Sequence, residues 1–184
     1  LEKLNLNRPY APSIEIQSYR RLYGLDTLNC EHWQGFIEMP LFKLHVQAFQ
    51  PKLPPQETVK GTVVLLHGYL EHSGIYQPII QEILEQGFSV LTYDLPGHGL
   101  SNGSPASIQN FDHYQQVLHA VHQYVRLADQ LPQPWLGIGQ STGGAIWLHH
   151  LLEFAERREN PYVNRVLLLS PLIRPAKTAW WHNS

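Results

Sequence analysis

Short apolar runs that alternate with helical patterns constrain the fold of this chain more than any other feature. From Lys60 onward these runs occupy 62–66, 88–93, 135–138 and 166–169. A strand without alternating polar residues is typical of a parallel sheet that is covered on both faces. The sequence therefore predicts an α/β fold with a mostly parallel sheet, flanking helices and right-handed crossovers.

Apolar residues at helical spacing lie between these runs. One helix is predicted at 79–84, with Gly87 ending it, and another from Thr142 to about Arg158. Between them, one long helix is predicted from an apolar stripe at the 3.6-residue period. The stripe consists of Ile108, Phe111, Leu118, Val121 and Val125.

The chain before Lys60 follows a different pattern. Residues 1–34 are interpreted as an N-terminal extension with one short helix that Gly24 ends. The apolar face of that helix is irregular and consists of Ile14, Ile16, Tyr19, Leu22 and Tyr23. Residues 35–50 predict two antiparallel strands with a turn near 38–40, and 51–55 are interpreted as a loop.

Composition argues against several classes of function. The 184 residues are 43% hydrophobic and 15% charged, with a net charge of −2, which fits a compact domain. Because Lys and Arg are not clustered, no nucleic-acid partner is expected. No apolar run reaches the ~18 residues of a membrane span. The single Cys30 cannot form an internal disulfide, which favours a reducing, cytoplasmic location.

The segment Gly139-Gln140-Ser141-Thr142-Gly143 lies between a predicted strand and a predicted helix. A sharp turn at this place strains the backbone of the serine and exposes its hydroxyl at the carboxyl edge of the sheet. Side chains two residues to either side would collide, so glycine is required at both positions. Ser141 is therefore the predicted nucleophile, and an ordinary glycine-rich turn is the alternative.

The segment Leu65-Leu66-His67-Gly68-Tyr69 ends the first parallel strand. Acyl transfer forms a tetrahedral oxyanion, which preorganised backbone N–H groups stabilise. Beside such a serine turn, one donor follows the nucleophile and the other comes from the loop after this strand. The expected donors are the N–H groups of Thr142 and Tyr69, while His67 is expected to support the loop rather than carry a proton.

Three motifs follow one another along the chain: HGYLEHSGIY at 67–76, YDLPGHGLSNG at 93–103 and GQSTGGA at 139–145. Together they resemble the monoacylglycerol lipase/lysophospholipase-like branch of the α/β-hydrolases, often labelled serine aminopeptidase-like. The resemblance covers about residues 35–175, which we assign to the α/β-hydrolase core. It implies hydrolysis of a carboxylic ester, with a lipid-like acyl chain, through an acyl-enzyme on Ser141. Asp94 and His98 of the second motif are interpreted as structural.

The resemblance also bears on partners and cofactors. It implies a small-molecule or lipid ester as the substrate, and neither a metal nor an organic cofactor; transient contact with a membrane surface fits such a substrate. A thioesterase, a proline-type aminopeptidase and a non-catalytic binding protein on the same fold stay open as alternatives. The residues expected to shape the turn and its neighbouring loop are His67, Gly68, Gly139 and Gly143.

The acid and the base that would activate Ser141 are not evident in the residues after it. That stretch contains no aspartate, and its three glutamates, beginning with Glu153, follow on the helix that leaves the serine. Glu153 would lie about 18 Å along that helix, and His149 and His150 roughly 12–13 Å. His182 has no accompanying acid. A metal site at His119 and His122 is not expected, because no third ligand is evident.

The simplest interpretation is an incomplete α/β-hydrolase with about six of eight strands. The resemblance implies two further strands that carry the acid and the histidine, and a lid inserted after 166–169. Residues 176–184, with Trp180-Trp181, are assigned to the start of that lid. The 184 residues alone are expected to be inactive, and 166–169 to form an exposed apolar edge that favours aggregation.

Overall fold

The computed structural model describes residues 3–7 and 12–173 and contains a six-stranded sheet of order β1-β2-β4-β3-β5-β6. β1 and β2 are antiparallel, β2 is antiparallel to β4, and the other neighbours are parallel. The predicted mostly parallel α/β sheet is therefore confirmed. The strands are β1 Cys30–Glu38, β2 Lys43–Pro51, β3 Thr62–Leu66, β4 Ser89–Tyr93, β5 Trp135–Gln140 and β6 Arg165–Leu169.

Helices cover both faces of the sheet, as predicted. They are α1 Ile14–Leu22, α2 Gln77–Glu85, α3 Asp112–Ala128 and α4 Thr142–Arg157. Within β3, Val64 and Leu66 pack into the core beneath α3 and α4, while Val63 and Leu65 pack into the core beneath α2. Successive side chains of β3 thus enter different cores, which explains why this strand has no polar face.

The first strand begins earlier than predicted. β1 begins at Cys30, within the stretch interpreted as an extension, and pairs with β2 along its whole length. The predicted start at residue 35 was wrong because Glu31, His32 and Gln34 give the beginning of the strand a polar composition. The segment before α1 also joins the domain, since the N–H of Leu4 donates to the carbonyl of Phe36 at 2.9 Å.

The predicted apolar face of α1 is only partly correct. Ile16 is buried, and the rings of Tyr19 and Tyr23 pack against the core on the same side. These three residues have the i, i+3, i+7 spacing of one helix face. Ile14 and Leu22 lie off that face, and their exposed fractions are 78% and 76%.

The long helix α3 starts later than its predicted stripe. The side chain of Asn110 accepts a hydrogen bond from the N–H of Asp112 at 2.9 Å, and the helix begins at that residue. This local turn uses the asparagine side chain to start the helix. Ile108 and Phe111 therefore precede α3 and line a cavity instead.

Among the described strands, β6 is an edge of the sheet and pairs with β5 alone. The exposed fraction of Leu167 is 55% and that of Leu169 is 37%. The apolar edge thus lies where it was predicted. Within the described residues, no helix has the length and hydropathy that a bilayer crossing requires.

Candidate functional site

Ser141 occupies the sharp turn between β5 and α4. Its backbone angles are φ 47° and ψ −109°, a conformation that costs a non-glycine residue about 1–3 kcal/mol. The N–H of Ser141 donates to the carbonyl of Leu169 at 2.9 Å, and its carbonyl accepts from the N–H groups of Ala145 and Leu172, each at 3.0 Å. The strained turn is therefore held by α4 on one side and by β6 and its continuation on the other.

Gly139 and Gly143 leave the space that this turn needs. A Cβ atom on Gly139 would lie 2.4 Å from the carbonyl of Gly143. A Cβ atom on Gly143 would lie 2.4 Å from the carbonyl oxygen of Leu66 at the end of β3. Both distances are far below van der Waals contact, so the steric argument made from the sequence applies to the backbone as it is folded.

The loop after β3 passes beside Ser141. A Cβ atom on Gly68 would lie 3.3 Å from the Cβ of Ser141. Thr142 is the first residue of α4, where backbone N–H groups have no acceptor within the helix. Tyr69, Ser141 and Thr142 all line the same cavity. The structure thus brings together the three residues that were predicted to bind and attack the acyl group.

His67 fixes this loop from within. Its Nε2 atom accepts a hydrogen bond from the N–H of Leu95 at 2.9 Å, and its Nδ1 lies 2.8 Å from the carbonyl oxygen of Gly68. Nδ1 therefore carries the single proton of a neutral ring and donates it to that carbonyl. Burial lowers the pKa of His67 to about 4, which keeps the ring neutral near pH 7. This arrangement is the one expected of a support.

The cavity at Ser141 has a volume of about 770 Å³. This volume lies within the range of small-molecule binding sites. Carbon atoms dominate its walls, with side chains from the loop before α3, from α4 and from the segment after β6. Its apolar lining includes Ile108, Phe111, Leu148, Leu152, Leu172 and Ile173.

Asp94 lies at the end of β4 and is completely buried. Its Oδ1 accepts from the N–H and the hydroxyl of Ser73 at 2.8 and 2.6 Å, and its Oδ2 from the N–H of Leu100 at 2.8 Å and Nδ1 of His45 at 3.0 Å. Burial would raise its pKa, but the contact with His45 and the bonds from Leu100 and Ser73 hold that pKa well below the ordinary value. Asp94 therefore joins two loops to β2.

His98 also makes contacts that fit a structural role. Its Nδ1 lies 2.9 Å from the carbonyl of Pro96, and its ring packs against the rings of His67 and Tyr69, with centroid distances of 5.4 and 5.8 Å. The ring thus supports the loop that carries Tyr69.

The candidate bases and acids on α4 contact groups other than Ser141. His149 lines the cavity, but its ring packs on Phe111 and its Nε2 lies 3.8 Å from Oδ1 of Asp112. Glu153 lies 2.6 Å from the guanidinium of Arg157. Buried His150 accepts a hydrogen bond from the N–H of Tyr162 at 3.3 Å. Glu156 and Glu159 are exposed.

Two further predictions concern histidines and the end of the chain. His119 and His122 pack around the ring of Tyr162, at centroid distances of 5.2 and 3.8 Å. Within 3–7 and 12–173, no group of three or more potential metal ligands occurs. His182 and the tryptophan pair of the expected lid lie outside the described residues.

Sequence reasoning missed Glu71, Tyr76 and Gln140. The hydroxyl of Tyr76 lies 2.5 Å from Oε2 of Glu71 and 2.7 Å from Oε1 of Gln140. Glu71 lies in the first of the three motifs, three residues after Gly68, and Gln140 lies in the third, directly before Ser141. That proximity was the available signal, but the pairing joins residues 64 positions apart.

Comparison with known proteins gives the family. The family model described as "Serine aminopeptidase, S33" matches residues 57–183. An abhydrolase domain-containing protein of Dictyostelium discoideum is 31% identical over 72% of this chain and 13% of its own length. Caffeoylshikimate esterase of Arabidopsis thaliana is 32% identical over 62% of this chain and 34% of its length. The chain therefore spans well under half of these curated relatives.

Solved structures agree on the fold. Monoacylglycerol lipase of Paleococcus ferrophilus has a TM-score of 0.56 and 25% identity, covering 74% of this chain and 47% of its own. Monoglyceride lipase of Saccharomyces cerevisiae has a TM-score of 0.61 and 20% identity, covering 76% and 45%. The chain belongs to the serine aminopeptidase S33 family, in the monoacylglycerol lipase-like branch of the α/β-hydrolases.

Proposed function

We propose that the protein hydrolyses carboxylic esters through an acyl-enzyme on Ser141. The observation that carries the proposal is the strained Ser141 at an apolar cavity, beside the loop of Tyr69 and at the N-terminus of α4. The Ser141 hydroxyl oxygen bonds to the acyl carbon, and the N–H groups of Tyr69 and Thr142 stabilise the resulting oxyanion. The hydroxyl proton of Ser141 passes to the base and from it to the alcohol oxygen as the ester C–O bond breaks, and water then attacks the acyl-enzyme to release the acid.

The proposed base and its acid lie outside these 184 residues. His149, His150 and Glu153 have other partners, and all three lie on the continuous helix α4 that leads away from Ser141. Glu153 lies twelve residues after Ser141, which corresponds to about 18 Å of helix. The 184 residues by themselves are accordingly inactive under this proposal.

The proposed substrate has a lipid-like acyl chain. Carbon-lined walls favour an apolar acyl group over a charged one, and no acidic residue lies among the described lining residues to bind a substrate amine. Relatives are named as a phospholipase in Bacillus subtilis and a monoglyceride lipase homologue in monkeypox virus. An ester is therefore favoured over the peptide that the family description would imply.

Labelling with a fluorophosphonate probe tests the nucleophile. We expect the probe to label the longest natural polypeptide that contains this sequence. Ser141→Ala should abolish the labelling, whereas Ser104→Ala, at an exposed serine, should leave it unchanged. Absence of labelling would reject the enzymatic proposal and favour a non-catalytic binding protein. Turnover of a p-nitrophenyl ester by the 184 residues alone, lost in Ser141→Ala, would instead show that they contain a base.

A further inference from the structure

We infer that Glu71 is a positioning residue for the oxyanion site, acting through the peptide group between Gly68 and Tyr69. The inference rests on the proposed function, because it concerns how one of the proposed oxyanion donors is aimed. Glu71 stands between the loop after β3 and the turn at Ser141. Its carboxylate accepts two short hydrogen bonds, from the N–H of Gly68 and from the hydroxyl of Tyr76, and Tyr76 in turn contacts Gln140.

The first contact is with the backbone of the loop. Oε2 of Glu71 accepts the N–H of Gly68 at 2.8 Å. A Cβ atom on Gly68 would lie 2.8 Å from the same oxygen and 3.3 Å from the Cβ of Ser141, so only glycine fits between the two side chains. The carboxylate thus anchors the residue that lies beside the nucleophile.

The second contact runs to the turn through Tyr76. The Tyr76 side chain is buried, with its hydroxyl 2.5 Å from Oε2 of Glu71 and 2.7 Å from the Gln140 side-chain amide. One hydroxyl proton cannot serve two acceptors, and an ionised carboxylate can only accept. Tyr76 therefore donates to Glu71, and the Gln140 amide, turned over, donates its N–H to Tyr76. The bridge ends at the residue before Ser141.

These contacts fix one peptide plane. The carbonyl of Gly68 and the N–H of Tyr69 belong to the same trans peptide and point in opposite directions. His67 donates to that carbonyl from Nδ1, and the N–H of Glu71 approaches it at 3.4 Å. Rotation of this peptide would break both contacts to its carbonyl, and the Glu71 carboxylate holds the preceding peptide through the N–H of Gly68, so Gly68 is fixed on both sides. The direction of the Tyr69 N–H is thereby set before any substrate binds.

Preorganised donors matter because they develop their full interaction only with the negative charge of the transition state. A misdirected donor weakens transition-state binding without changing how the apolar cavity holds the acyl chain. Loss of Glu71 is therefore expected to lower kcat far more than it changes KM. A residue that only stabilised the fold would change the melting temperature and leave the kcat of the folded fraction unchanged.

The experiment uses the polypeptide in which wild-type Ser141 is labelled. Glu71→Ala and Tyr76→Phe should each lower kcat for p-nitrophenyl butyrate by about 10- to 100-fold, with KM within about threefold. Glu71→Gln should recover most of the rate, because the amide oxygen can accept from both Gly68 and Tyr76. Glu57→Ala, at an exposed loop carboxylate, is the matched control and should keep the wild-type kcat.

The outcomes separate the two proposals. Wild-type protein without labelling rejects the function and this inference with it. Labelled wild type together with a normal kcat in folded Glu71→Ala rejects the inference alone. A rate that falls equally in Glu71→Gln and Glu71→Ala would also overturn it, because the hydrogen bonds would then not be the cause. Melting temperatures, measured for every variant, restrict each comparison to folded protein.

Discussion

Asp94 offers the sharpest test of how the loops around the site are held. Its carboxylate accepts four hydrogen bonds and is completely buried. We take Asp94→Asn as the perturbation because it keeps the shape of the side chain and removes its charge. The new NH₂ group must face at least one of the donors from Ser73, Leu100 or His45, so a buried N–H loses its acceptor.

The expected loss of stability follows from the hydrogen bonds that Asp94→Asn would break. The Nε2 of His45 lies 3.4 Å from the Gln34 amide nitrogen, so it accepts there and Nδ1 donates to Asp94. Leaving a buried donor without its acceptor costs about 1–3 kcal/mol, and more where the lost acceptor was charged. We expect Asp94→Asn to lower the free energy of unfolding by about 3 kcal/mol at pH 7. Asp26→Asn, at an exposed carboxylate, should change it by less than about 0.5 kcal/mol.

The contribution of Asp94 to stability should depend on pH in a definite direction. Because the pKa of Asp94 is held below its ordinary value near 3.9, the unfolded chain takes up the proton first as pH falls. The stabilisation is complete above about pH 5 and is lost as pH falls through the folded pKa. Urea unfolding followed by tryptophan fluorescence should show a constant gap between wild type and Asp94→Asn from pH 8 to 5, narrowing below pH 4. A gap under 1 kcal/mol at pH 7, or one that widens in acid, would refute the reasoning.

Three other substitutions test separate features. Gly143→Ala should lower the free energy of unfolding by about 3 kcal/mol in urea titrations, because its Cβ would lie 2.4 Å from a carbonyl oxygen of β3; wild-type stability would contradict this. Leu167→Lys should reduce light scattering by the 184-residue chain, since a charge blunts an exposed strand edge, whereas Leu127→Lys on α3 should not; equal scattering by both would argue against the edge. Burial lowers the pKa of His122 to about 4, so the unfolded state binds its proton first and the free energy of unfolding of the wild type falls between pH 6.5 and 4. His122→Phe should make this fall with pH shallower. The same slope in both proteins would contradict the claim that His122 causes it.

The sequence predicted those parts of the fold in which a local requirement of the backbone or the core restricts the residue types. β3 could be recognised because both of its faces enter apolar cores, and the turn at Ser141 because only glycine fits on either side of it. Gly87, with a φ of 84°, ended α2 where expected. In each case the requirement is local, so a short window of sequence contains it.

The remainder depends on contacts between distant segments. In β2, polar and apolar side chains alternate along the sequence, yet His45 and Gln47 are as buried as their apolar neighbours. Their partners are Asp94 and Ser73, which lie on other elements. A polar side chain has the same local signature whether it faces water or a buried carboxylate, so no window of sequence separates the two.

The hydrogen bonds that hold Ser141 also determine when its turn can form during synthesis of the chain. Its N–H is bound by the carbonyl of Leu169, and its own carbonyl by the N–H of Leu172. During synthesis the serine leaves the ribosome well before either partner, so at that stage only the N–H of Ala145 in α4 is there to hold its backbone. The turn at Ser141 therefore acquires its strained shape late, after β6 has docked, and a shorter nascent chain lacks two of the hydrogen bonds that hold this conformation.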